Sequence, residues 1–139
     1  MTKVALIACV SKKASNKSKA KDLYQSPLFK FNLAYAEKWQ AEKVFILSAK
    51  YGLIGLEEEI EPYNQTLNTM KSIERKQWAE HVLNQLQLKT DLQKDEFLIL
   101  AGENYREHLL PQIKKYNLPL RGLGIGKQLH RLKELLHDS

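Results

Sequence analysis

The sequence predicts an α/β fold: a single three-layer domain, residues 1–139, with a mainly parallel central sheet of about four strands flanked by helices. Three observations predict it. Apolar runs rich in β-branched residues recur as "KVALIACV" (3–10), "EKVFILSA" (42–49) and "DEFLILAG" (95–102). Stretches of helical period separate them. The 139 residues are enough for one packed core, and no repeat, low-complexity tract or linker divides them.

Each element has a local reason. "KVALIACV" is continuously apolar, as a strand covered on both faces must be. Its seven consecutive apolar residues are too few to span a membrane, and no small-residue cleavage site follows. "SPLFKFNLAYAEKW" (26–39) predicts a helix, with Ser26 as cap and Pro27 at the first helical position. "EKVFILSA" is the second buried strand. "KYGLIGLEEEIEPYNQTL" (50–67), broken by Gly52, Gly55 and Pro62, reads as irregular. "MKSIERKQWAEHVLNQLQL" (70–88) is the clearest helix: Ser72 is placed to open it, and Ile73, Trp78, Val82, Leu83 and Leu86 fall near helical spacing. "DEFLILAG" is the third strand. "ENYREHLLPQIKKY" (103–116) follows as a helix that Pro111 breaks or kinks. "LPLRGL" (118–123) reads as a short fourth strand and "IGKQLHRLKELL" (125–136) as the closing helix.

Net charge is +6. Residues 1–30 hold seven lysines against Asp22 alone, while residues 31–139 balance at 15 basic and 15 acidic side chains. A basic segment confined to one end of a domain points to a phosphate-bearing partner, or else to a solvated loop. The single cysteine, Cys9, excludes an internal disulfide and suits a reducing, cytoplasmic setting. The four histidines show no zinc-ligand spacing, and the acidic run "EEEIE" (57–61) has no His or Cys beside it, so no metal and no cofactor is expected.

In parallel α/β sheets, ligands bind outside the carboxyl ends of the strands. The residues expected there are Cys9, Ser11, Lys12 and Lys13 after the first strand, and Ser48, Lys50, Tyr51 and Gly52 after the second. Gly102, Asn104 and Tyr105 follow the third, and Gly122, Gly124, Gly126 and Lys127 the fourth. Lys12, Lys13 and Lys50 are candidates to hold phosphate, and Tyr51 and Tyr63 to stack on a base. Tyr24 and Asp22 lie at the end of the basic loop. Asp22 is the candidate catalytic carboxylate, or else a neutralising partner for the lysines. Cys9, close to lysines, is a candidate nucleophile or redox sensor, or else a small buried residue.

The glycine-rich stretch "GLGIGKQLHRL" (122–132) is neither of two familiar phosphate loops. Gln128 stands where a Walker A sequence needs a magnesium-binding hydroxyl, and the glycine spacing does not fit the dinucleotide fingerprint. A helix-hairpin-helix is opposed by Pro119 and Gly122. It reads as a strand-to-helix turn whose backbone N–H groups, with Lys127, are placed to hold an anion.

The ordered motifs carry a family resemblance. They are Cys9-Ser11-Lys12, Asp22-Leu23-Tyr24, Ser26 with Phe29, "SAKYGL" (48–53), Pro62-Tyr63 with Thr66-Leu67, Ala101-Gly102 with Tyr105, and Gly122 to Gly126. As a set they resemble the YaaA-like proteins, the peroxide-stress family, and most nearly its small bacterial and phage relatives of unknown function. The resemblance covers nearly the whole chain. YaaA proteins are longer and carry a helix-hairpin-helix; this chain resembles their core without insertions. The resemblance implies DNA binding and protection against oxidative stress.

Three function classes follow. The first is a nucleic-acid- or nucleotide-binding protein. The second is an enzyme acting on a nucleoside, nucleotide or nucleobase in the same crevice, with Asp22 or Cys9 carrying chemistry. The third is a non-catalytic adaptor.

Overall fold

The first strand, β1 (Lys3–Ala8), lies at the centre of the fold because Val4, Ala5, Leu6 and Ile7 have no exposed surface at all. The computed structural model describes residues 2–8, 16–24 and 26–137, the side chain of Ile125 excepted. A short strand β2 (Ser18–Lys19) and a single helical turn α1 (Ala20–Leu23) follow, then the helix α2 (Pro27–Lys38). Ser26 caps α2 as expected, its hydroxyl accepting from Phe29 N at 3.2 Å. The next strands are β3 (Lys43–Ser48), β4 (Gly52–Gly55) and β5 (Glu59–Ile60). The long helix α3 (Ser72–Lys89) precedes β6 (Glu96–Leu100), the turn α4 (Glu103–Arg106), β7 (Lys115–Asn117) and α5 (Ile125–His137).

Among the described residues, five strands make one sheet in the order β4-β3-β1-β6-β7. β1 pairs in parallel with β3 and β6, and β6 with β7; only the edge strand β4 runs antiparallel. The protein is thus a single α/β domain with a mixed, mostly parallel sheet. β2 and β5 form a separate two-stranded ribbon, extended by Ala20 N donating to Glu58 O at 2.7 Å. The helices α2 and α5 pack on each other, and α3 packs on β4.

Four expectations need correction. The segment expected to be irregular holds β4, whose "GLIG" pairs Leu53 with Leu47 and Gly52 with Ser48. The outward edge of β4 is covered from α3: Gln85 Oε1 accepts from Leu53 N at 2.8 Å, and Gln85 Nε2 donates to Leu53 O at 3.4 Å. A side-chain amide thereby replaces a further strand and blunts the edge. The fourth parallel strand is the edge strand Lys115–Asn117, and residues 119–122 form a turn instead. The helix expected over 103–116 closes after one turn and resumes as a 3-10 turn, Leu110–Gln112, with Pro111 inside it. On α3 the buried residues are Ala79, Val82, Leu83 and Leu86, while Ile73 is 59% exposed. Ser72 is the first helical residue; the preceding Lys71 N–H is satisfied by Glu74 Oε1 at 3.0 Å.

Candidate functional site

Because β1, β3, β6 and β7 are parallel, Ala8, Ser48, Leu100 and Asn117 end on one edge of the sheet. The chain leaving β3 turns sharply there. Ser48 is fully buried, and its hydroxyl accepts from Lys50 N (3.2 Å) and Tyr51 N (3.0 Å). Its carbonyl accepts from the indole Nε1 of Trp78 at 2.8 Å, which ties the turn to α3. Ser48 is therefore spent on the turn's own backbone. Gly52 sits at φ +78°, in the left-handed region, and a Cβ built on it would lie 2.5 Å from Gln85 Oε1 and 3.0 Å from His81 Cδ2. Both its conformation and its neighbours exclude a side chain.

Tyrosines then fasten the segment 61–71 over this edge. Tyr51 is half-buried, donates to Glu61 O at 3.4 Å, and meets the Tyr63 ring edge-on at 5.7 Å. Tyr24 and Tyr63 are buried and share a short hydroxyl–hydroxyl hydrogen bond. Tyr24 also packs on Phe29 at 5.2 Å. Tyr105, buried, accepts from Leu67 N at 3.3 Å and shares a hydrogen bond with Thr66 Oγ1 at 3.3 Å. Its ring meets Trp78 edge-to-face at 5.7 Å. From the β6 side, Asn104 Nδ2 donates to Asn68 Oδ1 at 2.9 Å. Arg75 clamps the segment's end, bonding Met70 O at 2.6 Å and Glu107 Oε1 at 3.1 Å.

The fold thus brings together residues of Tyr24, Ser48 to Gly52, Tyr63, Asn104 and Tyr105. Of these, Lys50 is exposed, with its Nζ 5.3 Å from the Tyr51 ring centroid. Lys50, Tyr51 and Asn104, with the exposed Asn68 and Thr69, supply the accessible polar and aromatic groups. Gly102 is exposed just ahead of α4. Gly124, Gly126 and Lys127 are exposed at the start of α5. Asp22 is exposed on α1. Cys9, Ser11, Lys12 and Lys13 lie outside the described residues.

Two lysines of the basic segment, Lys19 and Lys21, have a partner other than Asp22. Glu57 Oε2 lies 3.1 Å from Lys19 Nζ and Glu57 Oε1 2.8 Å from Lys21 Nζ. Hydrogen bonding and charge from Glu57 raise the Lys21 ammonium above its ordinary value, and the two lysines lower the Glu57 carboxyl. Both ends are solvent-exposed, so the cluster adjusts local charge more than stability.

Asn68, Arg75 and Glu107 belong to this framework without being singled out in the sequence, where Trp78 stands out only as an apolar helix position and Thr66 only in the family motif. The signal in reach was helical spacing: Arg75 and Trp78 lie three apart on α3, on the side that meets the loop. Among the described residues there is no group of three His, Cys, Asp or Glu side chains able to hold a metal ion. Nor is any described helix long and apolar enough to cross a membrane. No curated protein and no solved structure matches the chain. A family model does match, over residues 4–134, and the chain belongs to that family, a family of unknown function (DUF6884).

Proposed function

We propose that this protein binds nucleic acid or a nucleotide at the carboxyl edge of its sheet. The observation that carries the reading is the convergence there of the Ser48–Gly52 turn, the tyrosine-fastened 61–71 segment and the Gly102–Tyr105 turn, at the edge where β1 also ends at Ala8. Lys50 is the phosphate contact and the half-buried Tyr51 the stacking surface. Tyr24, Tyr63 and Tyr105 act beneath them, holding the platform rigid. Kinship with the YaaA-like proteins, a role in stress response or DNA protection, and a cytoplasmic setting belong to the same proposal.

The three-layer arrangement is part of it too. The connection from β1 through α2 to the parallel β3 runs one way across the sheet, and that from β3 through β4 and α3 to the parallel β6 runs the other. The strong preference for right-handed crossovers supports α2 and α3 on opposite faces.

The test is retention on immobilised DNA and RNA as salt is raised. The proposal expects retention at low salt and elution as ionic strength increases, since phosphate contacts release counterions. Absence of salt-sensitive retention on either polymer, together with no binding of free nucleotides, sinks it.

A further inference from the structure

A second opening lies beside the platform, between α4 and β7. It has a volume of about 400 Å³ and is lined by Glu103, Arg106, Tyr116, Leu118, Arg121 and Gly122, among others. That volume is in the range of small-ligand clefts. Tyr116 stands 42% exposed on the three-residue edge strand. Arg121 is exposed on the turn that follows. Arg106 spends one nitrogen on Ala101 O at 2.7 Å, which fixes its guanidinium and leaves further donors. The Glu107 carboxylate is already engaged by Arg75 at 3.1 Å, so Glu103 is the acidic group set against the two arginines. Gly122, at φ +77°, has nothing within 4 Å of where a Cβ would stand, so the backbone there is open to a ligand.

The stretch of chain that carries Tyr116 and Arg121 is basic. Residues 113–137 hold six basic side chains, Lys114, Lys115, Arg121, Lys127, Arg131 and Lys133, against Glu134 alone. Glu134 is itself 2.8 Å from His130 Nε2.

We propose that this cleft takes one nucleotide of a single-stranded nucleic acid, with Tyr116 stacking on the base and Arg106 and Arg121 holding the adjoining phosphate. The inference rests on the nucleic-acid reading above and names the class of ligand. A single strand fits better than a duplex, because an exposed ring and a nucleotide-sized cleft engage an unstacked base. The Arg fork matches phosphate oxygens, and a weakly positive rim leaves stacking as the larger contribution.

The test is fluorescence anisotropy of a labelled oligodeoxyadenylate, alone and annealed to its complement, with the full chain. Wild type is expected to bind the single strand more tightly than the duplex. Tyr116→Leu keeps apolar bulk without a ring and is expected to weaken binding by about five- to hundredfold, while Tyr116→Phe retains it. Arg121→Gln is expected to weaken binding and to flatten its salt dependence by about one phosphate contact. If wild type binds but Tyr116→Leu and Arg121→Gln stay within about twofold of it, or if the duplex is preferred, the subsite is wrong and the wider reading stands. If wild type binds neither the single strand nor the duplex, the subsite is wrong, and the wider reading fails with it where RNA and free nucleotides are not bound either.

Discussion

Replacing Gly52 by alanine tests how tightly the site turn is held beneath α3. An L-residue at φ +78° costs about 1–2 kcal/mol over its usual conformations. The new methyl carbon would stand 2.5 Å from Gln85 Oε1, far inside contact distance. A glutamine tip ordinarily swings away at little cost, but this one is bonded to both Leu53 N and Leu53 O. Moving it gives up those bonds, at about 1 kcal/mol each. Together the Gly52→Ala variant is expected to lose roughly 3–4 kcal/mol. Urea unfolding followed by tryptophan fluorescence measures it through the shift in midpoint at constant slope. Gln85→Ala, alone and combined with Gly52→Ala, completes the cycle: the double variant should be less destabilised than the two singles added, by about 2 kcal/mol. A loss under about 0.5 kcal/mol for Gly52→Ala, or strict additivity, would refute the reasoning.

Other outcomes follow from the same contacts. Tyr105→Phe removes the hydroxyl that bonds Leu67 N and Thr66, and should cost about 1–2 kcal/mol while speeding amide exchange within 61–71, read by hydrogen exchange. Glu57→Gln releases Lys19 and Lys21 and should tighten oligonucleotide binding and steepen its salt dependence with the thermal midpoint unchanged, read by anisotropy and calorimetry. Burial pushes the Asp95 carboxyl up, but hydrogen bonds from Asp91 N (2.8 Å) and Thr2 N (3.1 Å), helped by Lys43, outweigh it and hold the group below the usual carboxylate range. Its contribution is therefore full above the ordinary carboxylate pKa and is lost as pH falls through the lower folded value. Thermal midpoints from neutral to acid pH should fall for wild type and fall less for Asp95→Asn, which starts lower; equal slopes would remove Asp95 from the account.

The core strands were legible because burial on both faces demands continuous apolar runs, and β1, β3 and β6 have them. The strand β4 was not legible: "GLIG" is four residues with two glycines, and it is a strand by virtue of β3 on one side and Gln85 on the other. Nor was β7, since all three of its residues are exposed and "KYN" carries no apolar pattern. Of the motifs, Ser48 to Gly52 and Gly102 to Tyr105 do follow the carboxyl ends of β3 and β6. They did not distinguish a tyrosine that faces solvent from one that faces inward. Tyr51 and Tyr63 lie in the same segment, yet one is half-buried and the other buried with its hydroxyl on Tyr24. That difference depends on contacts across 39 residues of sequence, which no local pattern encodes.

Amide chemical-shift mapping during titration with a single-stranded oligonucleotide tests the central claim most directly. The account predicts salt-sensitive shifts gathered at Lys50 to Gly52, Asn68 and Thr69, and Gly102 to Tyr105, with the opposite edge of the sheet unmoved. Shifts confined to that opposite edge, or none at saturating oligonucleotide and low salt, would contradict it.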